Sequence, residues 1–404
     1  MKFKTYLGAT VAMFGLSAGA AMAQQAANTP ITIGVLGDMS GVYSGDFSGE
    51  GAVQAVQMAV RDFGGKVLGR PIVVISADHQ NKPDVGSAIA RQWIDEDHVD
   101  MIADLTNSAV AIAVQKLASE KHVITMTTGG AAAELTGKDC TPYGIHYGYD
   151  TNALANGTAT AVVQNGGKTW YFITADYAFG HALQNSTAAV VTRLGGKVIG
   201  ASDVPLGTTD FSSYILQAQS SGAQVIGLAN AGEDTVNSIK QAHEFGVTSG
   251  GQQLAGLLMN IADVQALGTD VAKGLEFTVG WYWNMDPASR KWEAEYEAYT
   301  HGAAPTFTRA ADYSLTMAYL EAVKAAGTDN PDAVRAELGK MKINDFFAKG
   351  GYIRPDGLLM HDMYLLKVQQ PKDGKWDVAK VVATIPADVA YPSLKNDGGC
   401  PLVN

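Results

Sequence analysis

The chain has 404 residues, 47% of them hydrophobic and 17% charged, which suits one large or two ordinary cores and excludes a low-complexity or fibrous polymer. Its formal charge of −11 leaves no basic surplus to neutralise phosphates, so nucleic acid is excluded as a partner. The same charge speaks to solubility and says little about a small ligand.

At the N-terminus, Lys2 and Lys4 precede an apolar run at 6–16, and Ala21-Met22-Ala23 has the pattern of a cleavage site before Gln24. Residues 1–23 are read as a cleavable signal peptide, with cleavage after Ala23, and the mature chain as exported. No cysteine stands at the cleavage point, which argues against a lipid anchor. No later apolar run is long enough to span a bilayer. Cys140 and Cys400 are an even pair in an oxidising compartment. A disulfide tying the tail to the first half is expected; the alternative is two buried free thiols. Neither has a second Cys or a His at ligand spacing, so no metal is expected.

The mature chain begins with a β-like run at 31–37, a loop at 38–49 and an Ala/Val-rich helix at 50–63. The hexapeptide Gly64-Gly65-Lys66-Val67-Leu68-Gly69 follows. It recurs as Gly195-Gly196-Lys197-Val198-Ile199-Gly200, preceded again by a strand (169–175), a loop (176–180) and a helix (181–194). A unit repeated far beyond solenoid spacing predicts two similar lobes with a cleft between them. After the first hexapeptide come a strand at 71–77, a helix at 84–94, a strand at 99–105, a helix at 109–120 and a strand at 122–126. After the second come a strand at 201–205, a helix at 211–220, a strand at 224–229, a helix at 233–245 and a strand at 253–258. This alternation predicts an α/β fold of two doubly wound parallel-sheet lobes. An aromatic strand at 275–283 and helices at 290–299, 310–326 and 330–341 follow. A hairpin of 351–366 and 376–383 around the turn 370–375 ends the series. Helices this late must pack on a lobe already built, so the chain crosses between lobes more than once. The expected division is a signal peptide at 1–23, an N-terminal lobe of 28–148 plus 278–345, a C-terminal lobe of 149–277 plus 346–390, and a tail at 391–404.

Ligands of parallel sheets bind outside the carboxyl ends of the strands. That rule selects 38–43, 106–108 and 127–130 in the first lobe, and 176–180, 230–233 and 259–260 in the second. These loops hold small polar residues, glycines and aromatics, a composition suited to an anion held by neutral donors. Asn107, Ser108 and Thr128 supply donors, Gly129 lets the backbone approach, and Ser108 opens a helix whose dipole favours a carboxylate. The competing reading makes Asn107 or Ser108 a plain helix cap. Tyr43, Tyr177, Phe179, Tyr282 and Trp283 are the candidate apolar walls. Strand alternation would put Trp281 and Trp283 on one face and Tyr282 on the other. No catalytic pattern is present. The nearest approach to a G-x-S-x-G elbow, at 37–41, has its serine one place late, and His243-Glu244 lacks the second His of a zinc hydrolase. Neither an enzyme nor a cofactor is expected.

The stretches IGVLGDMSG (33–41), ITMTTGGAAAELT (124–136), DYAFG (176–180) and DFS (210–212) resemble the type I periplasmic solute-binding proteins of ATP-driven (ABC) importers, in the Leu/Ile/Val-binding branch. The resemblance spans nearly all of the mature chain in order. It implies two lobes joined by three crossovers that close like a hinge trap, a periplasmic monomer, and delivery of the ligand to an inner-membrane permease. One departure matters. Members that bind aliphatic amino acids hold the α-ammonium with an acidic residue just after the 253–258 strand, where this chain has Leu258-Met259-Asn260. Glu233 is the nearest substitute, and it also fits as a helix-opening residue. A buried ammonium without a charged partner is costly, so the expected ligand is a carboxylate without an amine: an aromatic acid or an apolar oxo acid. The Trp281-Tyr282-Trp283 run is similar to that of the subgroup taking up aromatic acids. In this reading Asn107, Ser108, Thr128 and Gly129 take the carboxylate. Tyr43, Tyr177, Phe179 and Trp283 wall the body, with Met259 as an adaptable addition. Asn230 and Asn260 reach a distal polar group. The alternatives are an amino-acid receptor and a sensor subunit presenting ligand to a membrane partner.

Overall fold

The computed structural model describes residues 29–396 and 399–403; the signal-peptide reading falls on residues outside them. The first sheet has the order β2-β3-β1-β4-β5-β6, built from β1 (Ile31–Gly37), β2 (Lys66–Val67), β3 (Arg70–Asp78), β4 (Met101–Asp104), β5 (Ile124–Thr127) and β6 (Gly144–His146). All neighbours are parallel except β2 and β3. Every residue of β1 is buried, because helices cover both faces of the sheet. The helices are α1 (Gly49–Phe63), α2 (Pro83–Asp95) and α3 (Ser108–Glu120). Packing is close: a methyl group at Gly34 would lie 2.6 Å from the Trp93 ring of α2.

The second sheet is parallel with the order β10-β9-β7-β8, from β7 (Thr169–Ala175), β8 (Lys197–Val204), β9 (Val225–Ala229) and β10 (Gln253–Gly256). Its helices are α4 (Thr151–Gln164), α5 (Ala178–Arg193), α6 (Ser212–Ser220), α7 (Glu233–Glu244) and the short α8 (Ile261–Leu267). The repeated hexapeptide does different work in the two lobes. In the first, Leu68 and Gly69 turn in the left-handed region and Lys66–Val67 folds back antiparallel on β3. In the second, the same residues run straight on as the start of β8.

The last third of the chain ties the lobes together. It comprises β11 (Glu276–Val279), α9 (Pro287–Thr300), α10 (Phe307–Ala326) and α11 (Pro331–Lys340). The strands β12 (Ile343–Asn344), β13 (Lys349–Ile353), β14 (Leu359–Met360), β15 (Met363–Val368) and β16 (Ala379–Ile385) follow, then α12 (Ala387–Ala390). Helix α10 packs on α1 of the first lobe, while β11, β15 and β16 form an antiparallel sheet beside α4 of the second. The expected hairpin forms as β15 and β16, but residues 351–360 instead pair as β13 and β14 and bridge to β6 through Leu358. Three chain segments pass between the lobes side by side. The Gly148 carbonyl accepts a 2.7 Å hydrogen bond from His361 Nε2, and a methyl group at Gly280 would sit 2.5 Å from the same oxygen. Cys140 and Cys400 are disulfide-bonded, fixing the tail beside β6.

The 281–283 run departs from strand alternation because β11 ends at Val279. Trp281 stands edge-on to both Trp292 and Phe346, and its Nε1 donates to Ser289 Oγ at 3.0 Å. Tyr282 and Trp283 both turn to the β15–β16 connection, donating to the carbonyls of Ala379 (2.6 Å) and Trp376 (3.0 Å). All three are core residues.

Candidate functional site

A narrow cavity, with about 10 Å³ open to the centre of a water-sized probe, lies where the carboxyl ends of the two parallel sheets face each other. Tyr43, Phe47, Thr106, Asn107, Ser108, Gly129 and Tyr149 line it from the first lobe and the adjoining crossover. Tyr177, Phe179, Ala231 and Leu258 line it from the second. The lobes touch above it: the Tyr43 and Tyr177 hydroxyls are 2.6 Å apart, and the Glu233 amide donates to the Val42 carbonyl at 3.2 Å. Closure is tight enough that a side chain at Gly232, which has φ of +60°, would collide with the Val42 carbonyl. Burial raises the pKa of both tyrosines, so both hydroxyls stay protonated and one donates to the other.

The first-lobe loops are held by backbone geometry that local side chains stabilise. Asp38 accepts from the amides of Gly41 (2.6 Å) and Tyr43 (3.0 Å) and from Asn81 Nδ2 (2.7 Å), folding the 38–43 loop over the end of β1. Asp104, Leu105 and Asn107 all have positive φ, an uncommon and strained conformation for such residues. The Asp104 carbonyl accepts from the Thr128 and Gly129 amides, and its carboxylate takes the hydroxyls of Ser48 and Thr106. Burial pushes Asp104 up to about 7, against the hydrogen bonds from Ser48 and Thr106. A methyl group at Gly129 would sit 2.0 Å from Thr106 Oγ1, so only glycine fits this wall.

Asn107 is the N-cap of α3: its Oδ1 accepts from the amides of Ala109 (3.0 Å) and Val110 (3.2 Å). With these capped, the Ser108 amide is left as an open donor at the helix N-terminus. Ser108 Oγ accepts from the buried amides of Ala131 (3.1 Å) and Ala132 (3.0 Å), and its own hydrogen meets no acceptor among the described residues. Ser108 thus offers two donors into the cavity from a fully buried position. Among the described residues, no Asp, Glu, Lys, Arg or His lines the cavity. It is an uncharged chamber with aromatic walls and one donor-rich end.

Of the residues expected to contact ligand, the structure brings together Tyr43, Asn107, Ser108, Gly129, Tyr177 and Phe179. It turns four others elsewhere. The Thr128 hydroxyl donates to Asp312 of α10 at 2.6 Å. Asn230 is consumed by α7, donating to Ser238 Oγ (2.9 Å) and accepting from Thr235 Oγ1 (2.7 Å). Asn260 caps α8 and donates to Asp46 across the cleft. Trp283 packs on the hairpin and is not part of the chamber lining. Met259 packs under Gly256, leaving Leu258 as the wall, and Glu233 is exposed outside it. Thr106 and Ala231 lie in the selected loops but lack a conspicuous side-chain signal, and Leu258 falls at the end of the strand read at 253–258. Phe47, edge-on to Tyr43, and Tyr149, whose hydroxyl donates to the Gly129 carbonyl at 2.9 Å, lie outside those loops.

Two parallel-sheet lobes closing on a chamber at their strand ends define a hinged receptor for small solutes. Residues 30–375 match the family model described as periplasmic binding protein, and the chain belongs to that family. A periplasmic binding protein from Burkholderia mallei is 52% identical, with 93% of this chain and 100% of that one covered and a TM-score of 0.90. A branched chain amino acid ABC transporter periplasmic ligand-binding protein from Burkholderia xenovorans LB400 is 38% identical, covering 93% and 100%, with a TM-score of 0.82. The fold alone is shared with an R. palustris solute-binding protein in complex with 4-hydroxybenzoate, at 24% identity, 91% and 100% coverage and a TM-score of 0.82. The chain is a substrate-binding receptor of an ABC transporter and not an enzyme.

Proposed function

We propose that this receptor captures a small carboxylate whose body is aromatic or an apolar oxo acid. One observation carries the reading: the chamber has no charged side chain, and its polar end is built from donors centred on Ser108. An anion there is met by the Ser108 amide and hydroxyl and by the positive end of α3. An α-ammonium would be stripped of water opposite Tyr, Phe and Leu, with no carboxylate to receive it. Asn107 and Gly129 shape the donor end, while Tyr43, Phe47, Tyr149, Tyr177 and Phe179 provide faces for stacking. The chain would act in the periplasm as a monomer, after loss of residues 1–23, and pass its ligand to an inner-membrane permease. Residues 28–148 with 278–345 and residues 149–277 with 346–390 would move as the two jaws.

The test is a thermal-shift screen of residues 24–404 against benzoate-type acids, oxo acids, amino acids and short amides. A true ligand at 100 times its Kd stabilises by about 2.7 kcal/mol, a plain rise in midpoint. The expected response is confined to aromatic and oxo acids. A response confined to amino acids would overturn the ligand class and leave the receptor role standing.

A further inference from the structure

Capture requires the lobes to stay closed, and one cross-cleft contact lies outside the chamber. Asp46 sits in the 43–48 turn of the first lobe, and Asn260 and Asp263 open α8 of the second. Asn260 Nδ2 donates to Asp46 Oδ2 at 3.1 Å, while its backbone amide donates to Asp263 Oδ2 at 2.8 Å. One asparagine therefore holds both carboxyl groups, which lie within hydrogen-bonding reach of each other. All three residues are buried. Two carboxylates buried against each other repel strongly while both are charged, which favours one of them holding a proton.

We propose that Asp46 and Asp263 are positioning residues of capture, forming an interlobe clasp that closes with uptake of one proton and so strengthens as pH falls. The surrounding groups leave this need in place. The charge of Arg309 of α10 draws Asp46 down, but burial outweighs it, and the guanidinium donates to the carbonyls of Ala304, Gly45 and Ser48 rather than to either carboxylate. Asp46 and Asp263 form part of the wall of a solvent-open depression, where Glu233 and Lys240 oppose each other in charge. Tyr149 faces Asp46 from the crossover and carries no charge. Burial raises both acids, Asp263 the more strongly because the Asp46 charge and hydrogen bond add to it.

In the open receptor both carboxyl groups are solvated and titrate in the ordinary range near 4. Closed, the pair holds a proton to higher pH. The clasp's contribution is therefore complete below the ordinary carboxylate range and is lost as pH rises through the raised closed-state value. The inference rests on the receptor role and is independent of the ligand class.

Small-angle scattering from ligand-free residues 24–404 at about pH 5 and about pH 8 tests it. The wild type should have the smaller radius of gyration at the lower pH. In Asp263→Asn the amide donates to Asp46 at any pH while its oxygen keeps the Asn260 amide, so compaction should become independent of pH. Circular dichroism reports whether that variant is folded; should it not be, Asp46→Asn takes its place. A wild type that does not change between the two conditions, or a variant that keeps the full pH response, overturns the clasp.

Discussion

Replacing Ser108 by alanine should lower both affinity and stability, by an amount larger than one hydroxyl suggests. The affinity loss comes from the open O–H donor. A hydrogen bond to a charged ligand contributes about 1.5–3 kcal/mol, so binding of the best acid should weaken by about tenfold to a hundredfold. The stability loss is separate. Ser108 Oγ also accepts from Ala131 and Ala132, whose residues are fully buried. Alanine leaves both N–H groups unsatisfied, at about 1–3 kcal/mol each. Urea denaturation without ligand should show the second effect, and titration calorimetry well below the unfolding midpoint the first. Unchanged affinity in a folded, destabilised variant would reduce Ser108 to a loop brace.

Trp281→Ala should cost about 3–5 kcal/mol of stability and leave affinity unchanged. Its ring is 1% exposed and stands edge-on to Trp292 (5.2 Å) and Phe346 (5.7 Å), while Trp292 stacks on both Phe346 and Tyr296. The change removes one ring of this cluster and the bond from Nε1 to Ser289. The cavity it leaves is walled by rigid rings that collapse poorly. Because the cluster joins the β11 crossover to α9 and the 341–348 connection, the loss should appear in global unfolding rather than in local fraying. Lower affinity with unchanged denaturation would return the 281–283 run to the chamber wall.

The contrast between these residues shows what the sequence could convey. Strands such as β1 and β7 are continuous apolar runs, and the rule that ligands bind at the carboxyl ends of parallel strands was enough to find the loops that meet. Within a loop, composition does not say where a side chain points. Thr128, Asn230 and Asn260 have the same polar character as Ser108, yet each is held by a partner outside the chamber: Asp312 of α10, Ser238 of α7 and Asp46 of the 43–48 turn. Tyr149 was missed for a related reason. It precedes α4, whose Thr/Ala/Gly/Asn sequence has little apolar periodicity. The helix is instead specified by the Asp150 cap and by small residues such as Gly157, which allow it to lie against Thr278 of β11. Phe47 was read as part of a plain loop, although it packs edge-on to both Tyr43 and Phe307. The 281–283 run misled because its composition reads as strand while β11 has already ended.

A chamber lined in this way should accept a carboxylate and refuse the ammonium of the matching amino acid. Calorimetric titration of residues 24–404 with matched pairs tests it most directly: phenylpyruvate against phenylalanine, and 4-methyl-2-oxopentanoate against leucine. Each pair differs only in oxo group against ammonium. The account predicts that at least one oxo acid binds and that its amino acid is weaker by at least about a hundredfold, or about 2.7 kcal/mol. An amino acid that binds more tightly than its oxo acid would contradict it.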